Sequence, residues 1–206
     1  GKVLDTTVHP RAWNYDISDS TAHRWEAATD PVHEVDYLKD DPRSGCSMPF
    51  LKRLVADYPD LYFGVVANPH RGMAITGKPT RDYSSGGGYR EEILGAVHEI
   101  KEDVTLSGII CQLGMIESSK PDTHDMVEHF EQNLAELVTA IRTDIGMPDL
   151  PFLNGELPLD MPIADHFPSR FIIRQKIENL PGYLDHSAMV PHEGLGIEFI
   201  DAVHYD

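Results

Sequence analysis

The sequence closes on an aspartate and a histidine three residues apart, Asp201 and His204. A carboxylate that accepts a hydrogen bond from one imidazole nitrogen fixes the ring's tautomer and leaves the other nitrogen to take a proton from a nucleophile. The Asp-x-x-His spacing in a loop permits that geometry, and it also occurs where it does no chemistry. Two further stretches offer groups that such a pair would need. "ANPHRGMAI" places Gly72 just beyond an apolar run, where a backbone N–H can face a developing oxyanion; a simple turn is the plain alternative. "CQLGMIESSK" offers Gln112, Gly114 and Glu117 beyond a second apolar run, or else a mere strand-to-loop transition.

Other clusters carry less. His124 and Glu128 are four apart with His129 beside them, but the His-Glu-x-x-His order is absent and an acidic, solvated helix face explains them more simply, so no metal is assigned. Gly86 to Gly88 lacks the lysine of a phosphate-binding loop and the spacing of a dinucleotide fingerprint, and reads as a loop. Cys46 and Cys111 form no Cys-x-x-Cys pattern, and their spacing leaves free thiols and a single disulfide both open. No serine, Ser47 and Ser85 included, sits in a strand-to-helix elbow, so none is nominated as nucleophile. No cofactor is called for.

The elements that must position these residues follow from periodicity. Residues up to about Arg43 are polar and rich in Asp, His and Pro, which predicts irregular structure anchored by Trp13 and Trp25. "SMPFLKRLVADYP" predicts a helix with Phe50, Leu51, Leu54 and Val55 on one face and Pro49 in its first turn. Leu61 to Asn68 and Leu106 to Leu113 read as strands buried on both faces, with a helix over Tyr89 to Glu102 between them. The clearest helix starts at His124: Met126, Val127, Phe130, Leu134, Leu137, Val138, Ile141 and Ile145 recur at three- and four-residue steps until Gly146 stops it. A strand near "LPFLNGEL", a helix over Ser169 to Leu180 and a last apolar stretch at "SAMVP" or "GIEFIDAV" complete an alternation that predicts a parallel sheet with helices on both faces. Ligands of such sheets sit beyond the carboxyl ends of the strands, here just after Asn68, Leu113 and Leu157.

The bulk properties narrow the partners. With 206 residues, 41% hydrophobic and 25% charged, the chain suits one folded α/β domain over residues 1–206. A formal net charge of -17 repels phosphate backbones and anionic lipid, so nucleic acid and membranes are poor partners and neutral molecules such as carbohydrates better ones. No apolar run approaches the roughly 20 residues that cross a bilayer.

Taken in order, "RWEAATDP", "SGCSMPFLKRLVADYP", "FGVVANPHRGMAI", "GYREEILGAV", "LSGIICQLGMIES", "AIRTDIGMPDLPFLNGELP" and "DAVHYD" resemble the SGNH (GDSL-type) hydrolase superfamily. They are most similar to its carbohydrate-esterase branch of sialate O-acetylesterase and acetylxylan esterase-like proteins. The resemblance runs from about Trp25 onward and implies a flavodoxin-like three-layer α/β/α sandwich. It implies removal of acetyl groups from sugars by a serine nucleophile, with His204 as general base, Asp201 as its orienting partner, and Gly72 and Gln112 as oxyanion donors. The branch's compact Gln-Gly-Glu motif is here Gln112 followed by "LGMIE". A second alignment sets "LGMIE" against the Gly-x-Asn-Asp block of the wider superfamily, with Ile116 at the amide position. The branch's serine motif is absent from these residues, and the family continues past its histidine. The expectation is therefore that the first strand, with the nucleophile, and the final helix lie outside this chain, and that a missing segment or second chain completes the sheet. Secretion or a periplasmic location is implied by the resemblance alone. A catalytically silent relative that binds glycans or serves a structural role stays open beside the esterase.

Overall fold

The computed structural model describes residues 6–17, 22–30, 32, 46–68, 74–76, 83, 88–119, 124–159 and 164–192. The chain divides into two compact units, Gly1–Arg71 and Gly72–Asp206. The expected site residues Gly72, Asp201 and His204 lie outside the described residues.

In the first unit, among the described residues, β1 (Ala12–Asp16) is the middle strand of three, antiparallel to β2 (Arg24–Ala27) and parallel to β3 (Phe63–Val65). This corrects the expectation of irregular structure before Arg43. Trp13, Tyr15 and Trp25 are good strand formers, and the Tyr15 and Trp25 rings meet across the pair at 5.1 Å. The polar Asn14 and Asp16 between them hid the strand; Asn14 is nonetheless buried, its Nδ2 donating to Glu26 Oε1 at 3.4 Å. Helix α1 (Ser47–Asp57) packs Met48, Leu51 and Val55 into a small core with Ala12, Ala28 and Val32. The expected apolar face was thus set too far round. Leu51 and Val55 are on it, Leu54 is half-buried, and Phe50, about 100° from Leu51, is exposed. Arg11 closes the unit: its guanidinium donates to the carbonyls of Val55, Tyr58 and Leu61 at 2.8, 3.0 and 3.2 Å, satisfying acceptors that the end of α1 leaves over.

The second unit holds α2 (Gly88–Ile100), β4 (Ile109–Cys111), α3 (His124–Glu128), α4 (Phe130–Ile145), β5 (Phe152–Gly155), α5 (Arg170–Glu178) and β6 (Ser187–Val190). Strands β4, β5 and β6 are adjacent in that order and all parallel, with Ile110, Leu153 and Ala188 in register. Phe130, Leu134, Leu137 and Val138 of α4 and Ile173 and Ile177 of α5 meet Phe152 of β5 in the main core. Strands β3 and β4 are buried on one face rather than two. Phe63 and Val65, and Ile109 and Cys111, pack against the cores, whereas Gly64 and Ile110 are exposed.

The long helix expected from His124 is two helices meeting at His129. The main-chain ladder runs across the junction, from His129 N to Asp125 O at 3.1 Å and from Asn133 N to His129 O at 2.9 Å. The His129 ring turns back onto the same Asp125 carbonyl, Nδ1 lying 3.0 Å from it, and the backbone opens there to ψ 11°. Gly146 ends α4 as expected. It takes φ 73°, and the N–H groups of Gly146 and Met147 return to the carbonyls of Thr143 and Arg142 at 3.1 and 2.8 Å. One turn earlier Arg142, buried on the core face, donates from Nε to Leu150 O at 2.9 Å and from Nη2 to His186 O at 3.1 Å. This single side chain ties the helix end to the entries of β5 and β6.

A Cβ added at Gly146 would meet nothing within 4 Å, so only backbone conformation opposes a side chain there. Gly146→Ala is expected to cost about 1 kcal/mol of stability, the penalty of the left-handed region for an L-residue, read as a shifted urea midpoint with an unchanged slope.

Candidate functional site at the carboxyl edge of the second sheet

At the carboxyl ends of β4, β5 and β6 the strand alternation sorts side chains into two sets. Inward from β4 comes Cys111, packed against the main core. Burial pushes its thiol up to about 12, so it stays protonated at neutral pH and is no thiolate nucleophile. Outward comes Gln112, an exposed side chain that lies across the end of β5. Its Nε2 donates to Glu156 O at 3.2 Å, and its Oε1 occupies the space that a Cβ on Gly155 would take. Glycine at 155 thus leaves the room in which the glutamine lies, and a side chain there would push the Gln112 amide aside. An amide nitrogen carries two hydrogens, and one bond to Glu156 leaves the second for another acceptor.

Beyond Cys111 the sheet ladder is replaced by a side chain. Asn154, fully buried, accepts from Leu113 N at 3.1 Å through Oδ1 and donates from Nδ2 to Leu113 O at 3.2 Å and to Gly155 O at 3.0 Å. The chain then turns at Gly114 (φ 115°) into a short helical turn that buries Glu117. Glu117 Oε1 accepts from Ile75 N at 2.7 Å. The turn after Gln112 thus holds the stretch three residues past Gly72. Ser118 and Ser119, next along the turn, donate their hydroxyls to Met115 O and Ile116 O at 2.8 and 2.7 Å. Ile116, the residue that the second alignment sets at the amide position, is half-buried in this turn.

The third strand end brings charge. Glu156 is 3% exposed, and its carboxylate is shared between two partners. Oε1 pairs with Arg174 Nη2. Oε2 accepts from His192 N at 2.9 Å and lies 2.7 Å from His192 Nδ1. Arg174 Nε in turn lies 3.1 Å from Glu178 Oε1. Burial alone would raise the Glu156 carboxyl, but the His192 N–H, the Arg174 charge and the His192 ring together outweigh it and hold the group below its ordinary value.

Of the four expected site residues, Gln112 is therefore at this edge. Asn154, Glu156, Arg174 and His192 were not anticipated. The signal available was a strand with Phe152, Asn154 and Glu156 on one alternating face, two polar residues where burial was due. Of the cluster weighed for a metal, the His129 ring has Nδ1 3.0 Å from Asp125 O, and the main-chain carbonyl of Glu128, not its carboxylate, accepts from Lys176 Nζ at 3.2 Å.

The sign of the Glu156 effect fixes its pH dependence. A carboxyl held below its ordinary value of 4.5 binds fewer protons folded than unfolded. Its contribution is complete above about pH 4.5 and is lost as pH falls through the folded value. Glu156→Gln is expected to cost about 3 kcal/mol at pH 7, the lower range for stripping a buried pair of one partner. Urea unfolding followed from pH 7 to pH 3 should show a shallower acid loss in the variant. Parallel curves would remove Glu156 from the acid response.

Residues 4–206 match the family described as carbohydrate esterase, sialic acid-specific acetylesterase. Among solved structures, one of a protein from Arabidopsis thaliana is similar with a TM-score of 0.74 at 17% identity, covering 97% of this chain and 75% of that one. The structure of NanS is similar with a TM-score of 0.69 at 13% identity, over 96% and 74% of the two chains. That of a carbohydrate acetylesterase from Xanthomonas citri gives 0.60 at 14% identity, over 90% and 44%. At these identities the structures speak for the fold, an α/β architecture of parallel strands flanked by helices. No curated protein sequence matches. By a match that spans nearly its whole length, the chain belongs to the carbohydrate esterase family of sialic acid-specific acetylesterases.

Proposed function

We propose that the chain is the body of a carbohydrate O-acetyl esterase that works through an acetyl-enzyme, its serine nucleophile supplied from outside these 206 residues. The serine Oγ attacks the acetyl carbonyl carbon while His204 takes its proton, and Asp201 holds the imidazole in the tautomer that can do so. The tetrahedral oxyanion is met by the Gly72 N–H and the Gln112 amide. Collapse expels the sugar hydroxyl, which leaves with the proton from His204, and water repeats the sequence to release acetate. The observation that supports this reading best is Gln112: an amide on the carboxyl edge of a parallel sheet, fixed by one hydrogen bond to Glu156 O and with a second hydrogen to give.

In the complete protein His204→Ala should abolish turnover of an aryl acetate; an undiminished rate would sink the assignment. Gln112→Ala should lower kcat by roughly 10²-fold, the order found for loss of one oxyanion donor. Gly155→Ala should lower kcat in the same direction with Gln112 itself unsubstituted, because the added methyl displaces the amide from the place its Oε1 occupies. Stoichiometric labelling of the complete protein by a fluorophosphonate is expected. Sugar binding without any labelling would instead mark a glycan-binding relative that has lost the chemistry.

A further inference from the structure

We infer that Glu156 is a positioning residue for the proposed reaction: it grips the exit of β6 at His192 and so sets where the segment bearing Asp201 and His204 leaves the sheet. The inference rests on the reading above and goes beyond it by assigning a role to a residue that takes no part in the steps given there.

The argument begins with cost. The Glu156 side chain is 1% exposed, and taking a carboxylate that far out of water is unfavourable before its partners are counted. An apolar residue at the inward position after Asn154 would fill the space without that cost. What the carboxylate provides is a set of directed bonds to different elements. From α5 comes the Arg174 guanidinium, itself held by Glu178 on the next turn. From the end of β6 come the main-chain N–H of His192 and, beside it, the His192 ring. The N–H is a directed hydrogen bond of 2.9 Å, and the ring adds a close polar contact at 2.7 Å beside it. The Glu156 carbonyl meanwhile receives the Gln112 amide, so one residue bonds both the proposed oxyanion donor and the root of the segment carrying the proposed base. Asp201 and His204 follow His192 by nine and twelve residues (192 to 201, 192 to 204). Catalytic geometry is sensitive to errors of about 1 Å, which cost on the order of 10² in rate, so the point at which this segment is rooted matters to it.

The test uses the complete protein and Glu156→Gln, which keeps the side chain's shape and an oxygen for the His192 N–H but removes the charge that holds Arg174. At labelling times too short for global unfolding to expose the core strands, amide hydrogen exchange over residues 192–206 is expected to rise at least tenfold while residues 109–111 and 152–155 stay protected, which keeps the local effect apart from the global loss read in urea. Turnover of an aryl acetate, expressed per site titrated with a fluorophosphonate, is expected to fall at least tenfold in kcat with KM within threefold. Uniformly faster exchange across the second unit with kcat per titrated site unchanged would make Glu156 a structural residue only and overturn the inference. Unchanged exchange in 192–206 would overturn it as well. If the unsubstituted protein neither labels nor turns over, the esterase reading fails by itself, and the exchange comparison still decides whether Glu156 grips the segment. Should Glu156→Gln not fold, Arg174→Lys, which keeps the charge and loses the forked geometry, should give the same local pattern at about threefold.

Discussion

A parallel strand that stops leaves main-chain donors and acceptors without ladder partners, and where the stop is buried something else must take them up. In the second unit that task falls to β5. Its inward alternation presents Phe152 to the core, then Asn154 to the main chain of Leu113, then Glu156 to Arg174 and His192. Its outward alternation presents Gly155, which leaves room for Gln112 to lie across the strand. The edge of the sheet is thus built from one tetrapeptide, Asn154 to Leu157, whose every member answers a different demand: pairing, clearance, charge and core.

Buried polarity of this kind raises little stability in itself. The gross strength of such bonds is offset by the desolvation of the groups that make them. Stability comes from the apolar contacts of α4 and α5 around Phe152, and the polar groups set geometry. Arg142 works on the same principle at the opposite end of the strands. Burial lowers its pKa, the carboxylates of Asp149 and Asp185 raise it, and its donors go to the carbonyls of Leu150 and His186. The amino ends of β5 and β6 are held by a buried arginine, and the carboxyl ends by a buried glutamate. Between them the register of the two strands is pinned at both extremes.

Which parts of this were legible in the sequence follows from range. Helix α4 was readable because its core residues repeat every three or four positions and Gly146 marks its end; all the information is local. The break at His129 was not, since it turns on a ring reaching back to Asp125 O while the main-chain ladder continues. Strands β1 and β2 were hidden because Asn14 and Asp16 interrupt the apolar signal, and Asn14 is buried only through a partner on the neighbouring strand. The face of α1 was set by β1 and β3, which no helical period encodes. Gln112 could be picked out by type and place, yet its support could not: Glu156 is 44 residues from Gln112 and 36 from His192. Bonds of that sequence separation leave in the sequence only the odd sight of a glutamate on the inward face of an apolar strand.

The electrostatics of the proposed reaction put a particular weight on that edge. A net charge of -17 favours the imidazolium that forms when a histidine accepts a proton, and disfavours the oxyanion that forms in the same step. The distant part of this field is screened over a Debye length of about 8 Å at physiological ionic strength. What acts on the oxyanion is what lies within hydrogen-bonding distance of it, where screening does not reach. The burden therefore falls on a few oriented N–H dipoles rather than on cationic side chains. Arg174, a guanidinium at this edge, is already placed between Glu156 and Glu178 and has little positive field to lend. A neutral amide held rigidly is the group best suited to stabilise a transient negative charge inside a negative protein. Its value depends on its not having to reorient, and in the proposed reaction the bond from Gln112 to the Glu156 carbonyl, made in the clearance that Gly155 leaves, is what orients it.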